Sequence, residues 1–143
     1  IRQVYVDRLE AEFAAGKTLL RHGAPELVQA AEAQLRGEPV DPAVYARAAA
    51  ALRAMPGGDR IDTVVLACTH FPLVQPELAR AFGGDVRFID GSDGIARRIA
   101  ALTEGQAWSR RQDDVALFTR GGQDVERLRP ALAAYGLDRV AIL

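Results

Sequence analysis

The sequence is short of the residues that mark several classes of protein. Its 143 residues include one cysteine, one methionine, one tryptophan and two histidines. One cysteine cannot form a disulfide within the chain, which suits a reducing cytosol. No apolar run approaches the roughly 20 residues that a membrane-spanning helix needs, and no signal-peptide pattern is present. We therefore expect a cytoplasmic globular protein with no membrane partner.

The chain also lacks an excess of charge of either sign. Eighteen lysine and arginine residues balance nineteen aspartate and glutamate residues, for a formal net charge of −1. Binding to nucleic acid or to an anionic lipid surface draws on a basic excess, so the composition predicts neither partner. With 49% apolar and 26% charged residues, the chain has an ordinary globular composition.

Short β-rich runs alternate with amphipathic helical patterns along the chain. The strongest strand pattern is Ile61–Ala67, whose last four residues are all apolar, as expected of a parallel strand covered on both faces. Helical patterns of 3.6-residue period separate the strands. The alternation predicts an α/β fold with a largely parallel sheet. The five predicted strands are Lys17–Arg21, Ile61–Ala67, Val86–Ile89, Asp114–Thr119 and Arg139–Leu143.

The turn after the strongest strand carries three chemically active side chains in a row. Cys68, Thr69 and His70 follow the strand, and ligands bind at the carboxyl ends of strands in open α/β sheets. A thiolate is a strong base or nucleophile, an imidazole can exchange its proton, and a hydroxyl with backbone N–H groups can hold a carboxylate. A lone cysteine after an apolar strand is also a common packing residue. These residues alone support a thiol site and a structural turn about equally.

The segment around this turn resembles a motif of the glutamate racemases, members of the aspartate/glutamate racemase superfamily. Residues 62–74 read D-T-V-V-L-A-C-T-H-F-P-L-V, and the family pattern around its second cysteine is roughly D-x-(apolar)₃-G-C-T-H-[YF]-P-L. Ala67 stands where glycine is commoner in the family. Three other segments are also similar to the family: residues 23–28 followed by Glu32, residues 86–91 and residues 117–122.

The resemblance implies an amino-acid racemase that uses two thiols and neither a cofactor nor a metal. Glutamate racemases interconvert L- and D-glutamate for peptidoglycan synthesis; one thiolate removes the α-proton and a second thiol protonates the opposite face. By this resemblance Cys68 is a catalytic acid or base, His70 assists its proton exchange, and Thr69 contacts the substrate. Glu32 resembles an acidic residue held near the site, and a solvated helix glutamate is an equal alternative. Glutamate is then the small-molecule partner, and a homodimer is left open.

The sequence lacks two motifs that the resemblance calls for. The family's first cysteine lies in an A-C-N-T motif, and an earlier D-S-G motif contributes to substrate binding; neither occurs here. The resemblance therefore implies the C-terminal half of a two-lobed racemase. We expect residues 1–104 to form its second catalytic lobe, of Rossmann or flavodoxin type, with a crossover helix. Residues 105–143 are expected to return to the N-terminal lobe, and the chain alone should not racemise glutamate. The weakly patterned residues 106–113 are expected to form a hinge or a boundary between lobes.

Three other functions fit parts of the pattern. A racemase of the same superfamily acting on aspartate or a hydantoin shares the motif, and the polar contacts that decide between substrates lie partly in the absent half. A non-catalytic α/β ligand-binding module could keep the motif without a partner thiol. Thiol-dependent hydrolysis by a Cys-His pair also needs an orienting Asn or Asp and an oxyanion hole, and the sequence shows neither.

Overall fold

The computed structural model describes residues 3–109 and 113–143, so the predicted hinge lies partly outside the described residues. Helices and strands alternate over most of this length. Two 3₁₀ turns, Gly58–Arg60 and Phe71–Val74, flank the first strand. The elements in chain order are α1 (Gln3–Phe13), α2 (Pro25–Leu35), α3 (Ala43–Arg53), β1 (Thr63–Val65), α4 (Gln75–Phe82), β2 (Arg87–Ile89), α5 (Ser92–Leu102), β3 (Val115–Phe118), α6 (Gln123–Ala134) and β4 (Arg139–Ile142).

The described strands form two separate two-stranded sheets, and both pairings are parallel. β1 pairs with β2, with Val64 opposite Phe88, and β3 pairs with β4, with Ala116 opposite Val140. In each pair a helix lies between the two strands in sequence, as parallel pairing requires. The predicted α/β class with parallel strands is confirmed. The prediction of five strands is wrong, because the described residues contain four strands, arranged in two sheets.

The first predicted strand, Lys17–Arg21, is not a strand in the structure. This segment has no ladder partner. Arg21 instead binds α1, with its guanidinium 3.4 Å from Asp7 and 2.5 Å from Glu10. These ion pairs draw the segment toward α1, and a cavity of about 350 Å³ lies between residues 16–20 and β1. The sequence has strand-type residues here, but the backbone groups find no strand to pair with.

The hydrophobic core lies on one face of the first sheet. It is built from α2, α3, α4 and the 3₁₀ turn Phe71–Val74, and Leu66 reaches it from the end of β1. Val74 is completely buried. Because Leu66 and Val74 are both anchored in this core, the turn between them is held at both ends. The buried members are Ala24, Leu27, Ala30, Ala31, Val44, Tyr45, Ala48, Leu66, Val74 and Leu78.

The opposite face of the first sheet is open in the described chain. Val65 is 57% exposed and Ile89 is 45% exposed. The apolar stripe of α5 is equally open, with Ile95, Ile99 and Leu102 at 62%, 56% and 62% exposure. The prediction that β1 is covered on both faces is therefore wrong for this chain. Helices pack against one face of this sheet, whereas apolar side chains on its other face and along α5 are exposed.

The second sheet meets the rest of the chain through α6. This helix packs against α2, and Arg127 of α6 donates a 2.8 Å hydrogen bond to Glu38, just beyond α2. Val125 is buried. The division into residues 1–104 and 105–143 remains a prediction. No helix among the described residues has both the length and the apolar character needed to cross a membrane.

Candidate functional site

Backbone hydrogen bonds fix the conformation of the turn after β1. The carbonyl of Cys68 accepts from the N–H of Phe71 at 3.1 Å, and the carbonyl of His70 accepts from the N–H of Leu73 at 3.1 Å. The second of these bonds lies inside the 3₁₀ turn that ends at buried Val74. The thiol and the imidazole are therefore mounted on a compact turn that is tied to the core.

The thiol and the imidazole lie side by side. The Sγ atom of Cys68 is 3.9 Å from Nδ1 of His70, which is within the range of a long hydrogen bond to sulfur. Cys68 is half-buried, and the His70 side chain is 35% exposed. Both groups are thus reachable from solvent, and the sulfur is not sealed in the core.

Glu32 completes a row of three groups. Its Oε1 atom lies 3.5 Å from Nε2 of His70, on the side of the ring away from the thiol. Glu32 is on α2, which packs against the 3₁₀ turn that follows His70. The order thiol, imidazole, carboxylate is the one that orients a histidine for proton transfer. The orienting group that thiol hydrolysis requires is absent from the local motif, and in the structure Glu32 fills that position.

A cavity of about 760 Å³ opens beside the thiol. Its volume falls within the usual range for small-molecule sites. Cys68 and Thr69 line it, whereas His70 and Glu32 stand behind the thiol and do not. The described residues lining it include no lysine, arginine or histidine, so a bound carboxylate would depend on hydroxyl and backbone N–H donors. Asp90, Ser92, Ile95 and Tyr135 also line the cavity.

The wall around α5 shows how that helix begins. The Oδ1 atom of Asp90 accepts a 2.7 Å hydrogen bond from the backbone N–H of Ser92. This bond, with a further one from the Ser92 side chain, holds the pKa of Asp90 below its usual range. Asp90 thus accepts from the N–H of Ser92, the first residue of α5, and Gly91 between them is the N-cap residue. Asp90 and Tyr135 are cavity residues that the local sequence pattern did not reveal.

No metal site is evident in the described part of the chain. Among those residues, no group of three or more His, Cys, Asp or Glu side chains lies close enough together to hold a metal ion.

Comparisons with known proteins point to one family, although no family model matches the chain. The chain is 57% identical over 141 residues to a glutamate racemase of Sphingopyxis alaskensis, covering 98% of this chain and 53% of that protein. It is 35% identical over 148 residues to a glutamate racemase of Escherichia coli, covering 51% of that protein.

Solved structures agree with the sequence comparison. The chain superposes on Escherichia coli glutamate racemase, solved in complex with L-glutamate and the activator UDP-MurNAc-ala, with a TM-score of 0.86 and 35% identity over 99% of this chain. A glutamate racemase isoform of Bacillus anthracis, RacE1, shares the fold with a TM-score of 0.70 at 20% identity.

The chain spans about half the length of the relatives that it matches, 53% of the Sphingopyxis protein and 53% of the Escherichia coli structure. The similarity nevertheless runs along almost the whole of this chain, so it does not depend on one short motif. By sequence and by structure, the chain belongs to the glutamate racemase family and corresponds to the C-terminal half of such a protein.

Proposed function

We propose that this chain supplies one wall of the active site of a glutamate racemase and that Cys68 is the thiol acting on one face of the substrate. The observation that carries the proposal is the half-buried thiol at the mouth of a cavity of about 760 Å³, 3.9 Å from an imidazole nitrogen. Family membership supplies the substrate class. The D-glutamate produced would serve peptidoglycan synthesis.

His70 would serve as the proton partner of Cys68. The thiolate, not the thiol, is the base that removes an α-proton, so a neighbouring group is needed to take up the thiol proton. The Nδ1 atom of His70 lies 3.9 Å from the sulfur for this role, and Glu32 contacts Nε2 on the far side of the ring at 3.5 Å and orients it. Thr69 would bind the amino or carboxylate group of the substrate.

Inversion of the α-carbon requires a second acid–base group on the opposite face. A single base that removes a proton tends to return it to the face from which it came. Cys68 is the only cysteine of this chain, so we propose that the second thiol comes from a part of the protein outside these residues. The open apolar face formed by β1, β2 and α5 is the surface on which that part would pack.

The test uses the full-length protein that contains this chain, with the substitution Cys68→Ser. Interconversion of L- and D-glutamate should fall by at least about 10²-fold, since positioned acid–base groups contribute about 10²–10⁴-fold. In D₂O the variant should still exchange the α-hydrogen of one enantiomer, because the thiol on the other face is intact. Full racemisation by Cys68→Ser would refute the role of Cys68.

Two controls separate the remaining alternatives. Aspartate and a hydantoin in the same assay test the other substrates of the superfamily. Iodoacetamide should alkylate Cys68 in the full-length protein, and D-glutamate should slow the reaction; a thiol that is inert and unprotected would favour a non-catalytic module. The 143-residue chain alone should show no racemisation, because it carries a single thiol.

A further inference from the structure

The carboxylate of Glu32 bridges two partners. One oxygen, Oε1, faces Nε2 of His70 at 3.5 Å, and the other, Oε2, lies 3.6 Å from NH1 of Arg36, one helical turn further along the chain. The Glu32 side chain is 50% exposed. A half-exposed glutamate on a helix surface has several accessible rotamers, so the contact with Arg36 selects the rotamer that faces the imidazole.

Arg36 is itself held in one orientation. Its Nε and NH2 atoms donate to Oε1 and Oε2 of Glu38, both at 3.2 Å, in a two-pronged pairing. The Arg36 side chain is only 23% exposed. Hydrogen bonding to Glu38 raises the pKa of the guanidinium, and the charges of Glu38, Asp124 and Glu32 raise it further. With two of its nitrogens fixed on Glu38, the third is directed toward Glu32.

The charged side chains of Glu32, Arg36 and Glu38 form an array that extends to the helix between β3 and β4. Arg127 of α6 donates a 2.8 Å hydrogen bond to Oε1 of Glu38. The hydrogen bonds from Arg36 and Arg127 hold the pKa of Glu38 below its usual range. A continuous series of contacts thus links Cys68 to α6, which begins at Gln123, 55 residues further along the sequence. In order, it passes through His70, Glu32, Arg36, Glu38 and Arg127.

We infer that Arg36 is a positioning residue of the active site: anchored by Glu38, it holds the Glu32 carboxylate against His70, and Arg127 couples the second sheet to the same array. The inference rests on the proposed function, since it describes how the imidazole beside the proposed catalytic thiol is oriented. Arg36 does not line the cavity and would not touch the substrate.

The geometry requires arginine rather than any positive charge. A guanidinium can donate in parallel to both oxygens of one carboxylate while a further nitrogen reaches another. A lysine has a single ammonium group, which cannot occupy both oxygens of Glu38 and approach Glu32 at once. Arg36→Lys should therefore behave like Arg36→Ala, whereas a role that needs only charge would be restored by lysine.

The test measures racemisation by the full-length protein with Arg36→Ala, Arg36→Lys and, as a matched control, Arg47→Ala. Arg47 forms a more exposed ion pair with Asp41, 3.8 Å away, outside the array. Because the contacts are partly exposed, kcat should fall only about threefold in both Arg36 variants and should not change in the control. Circular dichroism confirms that each variant is folded.

A second measurement separates a loss of positioning at His70 from a general loss of rigidity in the protein. Weakened proton transfer at Cys68 should raise the α-deuterium isotope effect for the one enantiomer whose proton goes to that thiol. The isotope effect for the other enantiomer should stay at the wild-type value. The kcat/KM values of the two enantiomers must fall together, because the enantiomers have equal free energy, which checks the assay.

The coupling to the second sheet is tested with a pair of variants on one helix. Arg127→Ala removes the bond to Glu38, whereas Arg129→Ala removes only a pair with Glu126 inside α6. The first should lower kcat about twofold and the second should not. The inference would be overturned by wild-type kinetics for Arg36→Ala or by full rescue with Arg36→Lys. It would also be overturned if the substitution changed the isotope effects of both enantiomers equally. These outcomes leave the role of Cys68 standing, because that role fails only if Cys68→Ser racemises normally.

Discussion

Val74 is one of the two side chains that anchor the turn bearing Cys68 to the core, and its truncation gives a calculable effect. Val74→Ala removes two carbons from a completely buried site. Their transfer to water is worth about 1.6 kcal/mol, at about 0.8 kcal/mol each. A residual cavity of about 40 Å³ adds about 1 kcal/mol, at about 24 cal/mol per Å³. We expect a loss of about 2.5 kcal/mol.

Thermal unfolding of the chain, followed by circular dichroism, measures this loss. With an unfolding entropy of about 2.1 cal/mol/K per residue, the midpoint should fall by about 8 °C. The matched control is Val4→Ala, the same change at a site that is 79% exposed on α1; its effect should stay within about 0.5 kcal/mol. Equal effects at the two positions would refute the argument that Val74 anchors the turn.

Two further predictions concern the frame around the site. The lowered pKa of Glu38, caused by Arg36 and Arg127, makes a contribution to stability that is complete above the ordinary carboxyl pKa and lost as the pH falls through the lowered one. The urea midpoints of the wild type and Glu38→Gln should therefore differ above the ordinary carboxyl pKa of about 4.3 and converge as the pH falls through the lowered pKa of Glu38; a difference that does not change with pH would contradict this. Gly58→Ala should lower the free energy of unfolding by about 1–3 kcal/mol, because a Cβ at this position would overlap carbonyl oxygens of α3, one of them at 2.5 Å. Gly94 lies on α5 with open space around it, so Gly94→Ala should raise the free energy of unfolding by up to about 1 kcal/mol. Denaturant unfolding measures both changes, and equal effects of the two substitutions would contradict the argument from backbone crowding at Gly58.

Features determined by local signals were predictable from the sequence. Pro25 opens α2 and Gly37 lies just beyond its end, and the helix is where these residues place it. Features that depend on distant partners were not predictable. Strand-type residues at 17–21 indicate β structure, but a strand exists only where another strand accepts its hydrogen bonds. The split into two sheets is non-local in the same way, since periodicity does not say which strands become neighbours.

The candidate site likewise contains residues that a local motif reveals and residues that only tertiary packing brings together. Cys68, Thr69 and His70 are consecutive, so one motif places all three on a turn at the end of β1. Glu32 lies 38 positions before His70 and meets it only because α2 packs on the 3₁₀ turn. The links through Arg36 to the second sheet, and Tyr135 in the cavity wall, follow from tertiary packing. No pattern within one helix reveals them.

The cavity beside β1 leaves room for a further strand in the first sheet. Within the described chain β1 has a single ladder partner, so the backbone groups of its other edge face the space bounded by residues 16–20. A strand seated there would continue the sheet away from β2 and leave the thiol turn untouched at the strand end. Lys17 and Arg60 stand at this groove, and charged side chains beside a free edge discourage pairing with a neighbouring molecule. The charged groove therefore disfavours edge-to-edge association between separate copies of the chain.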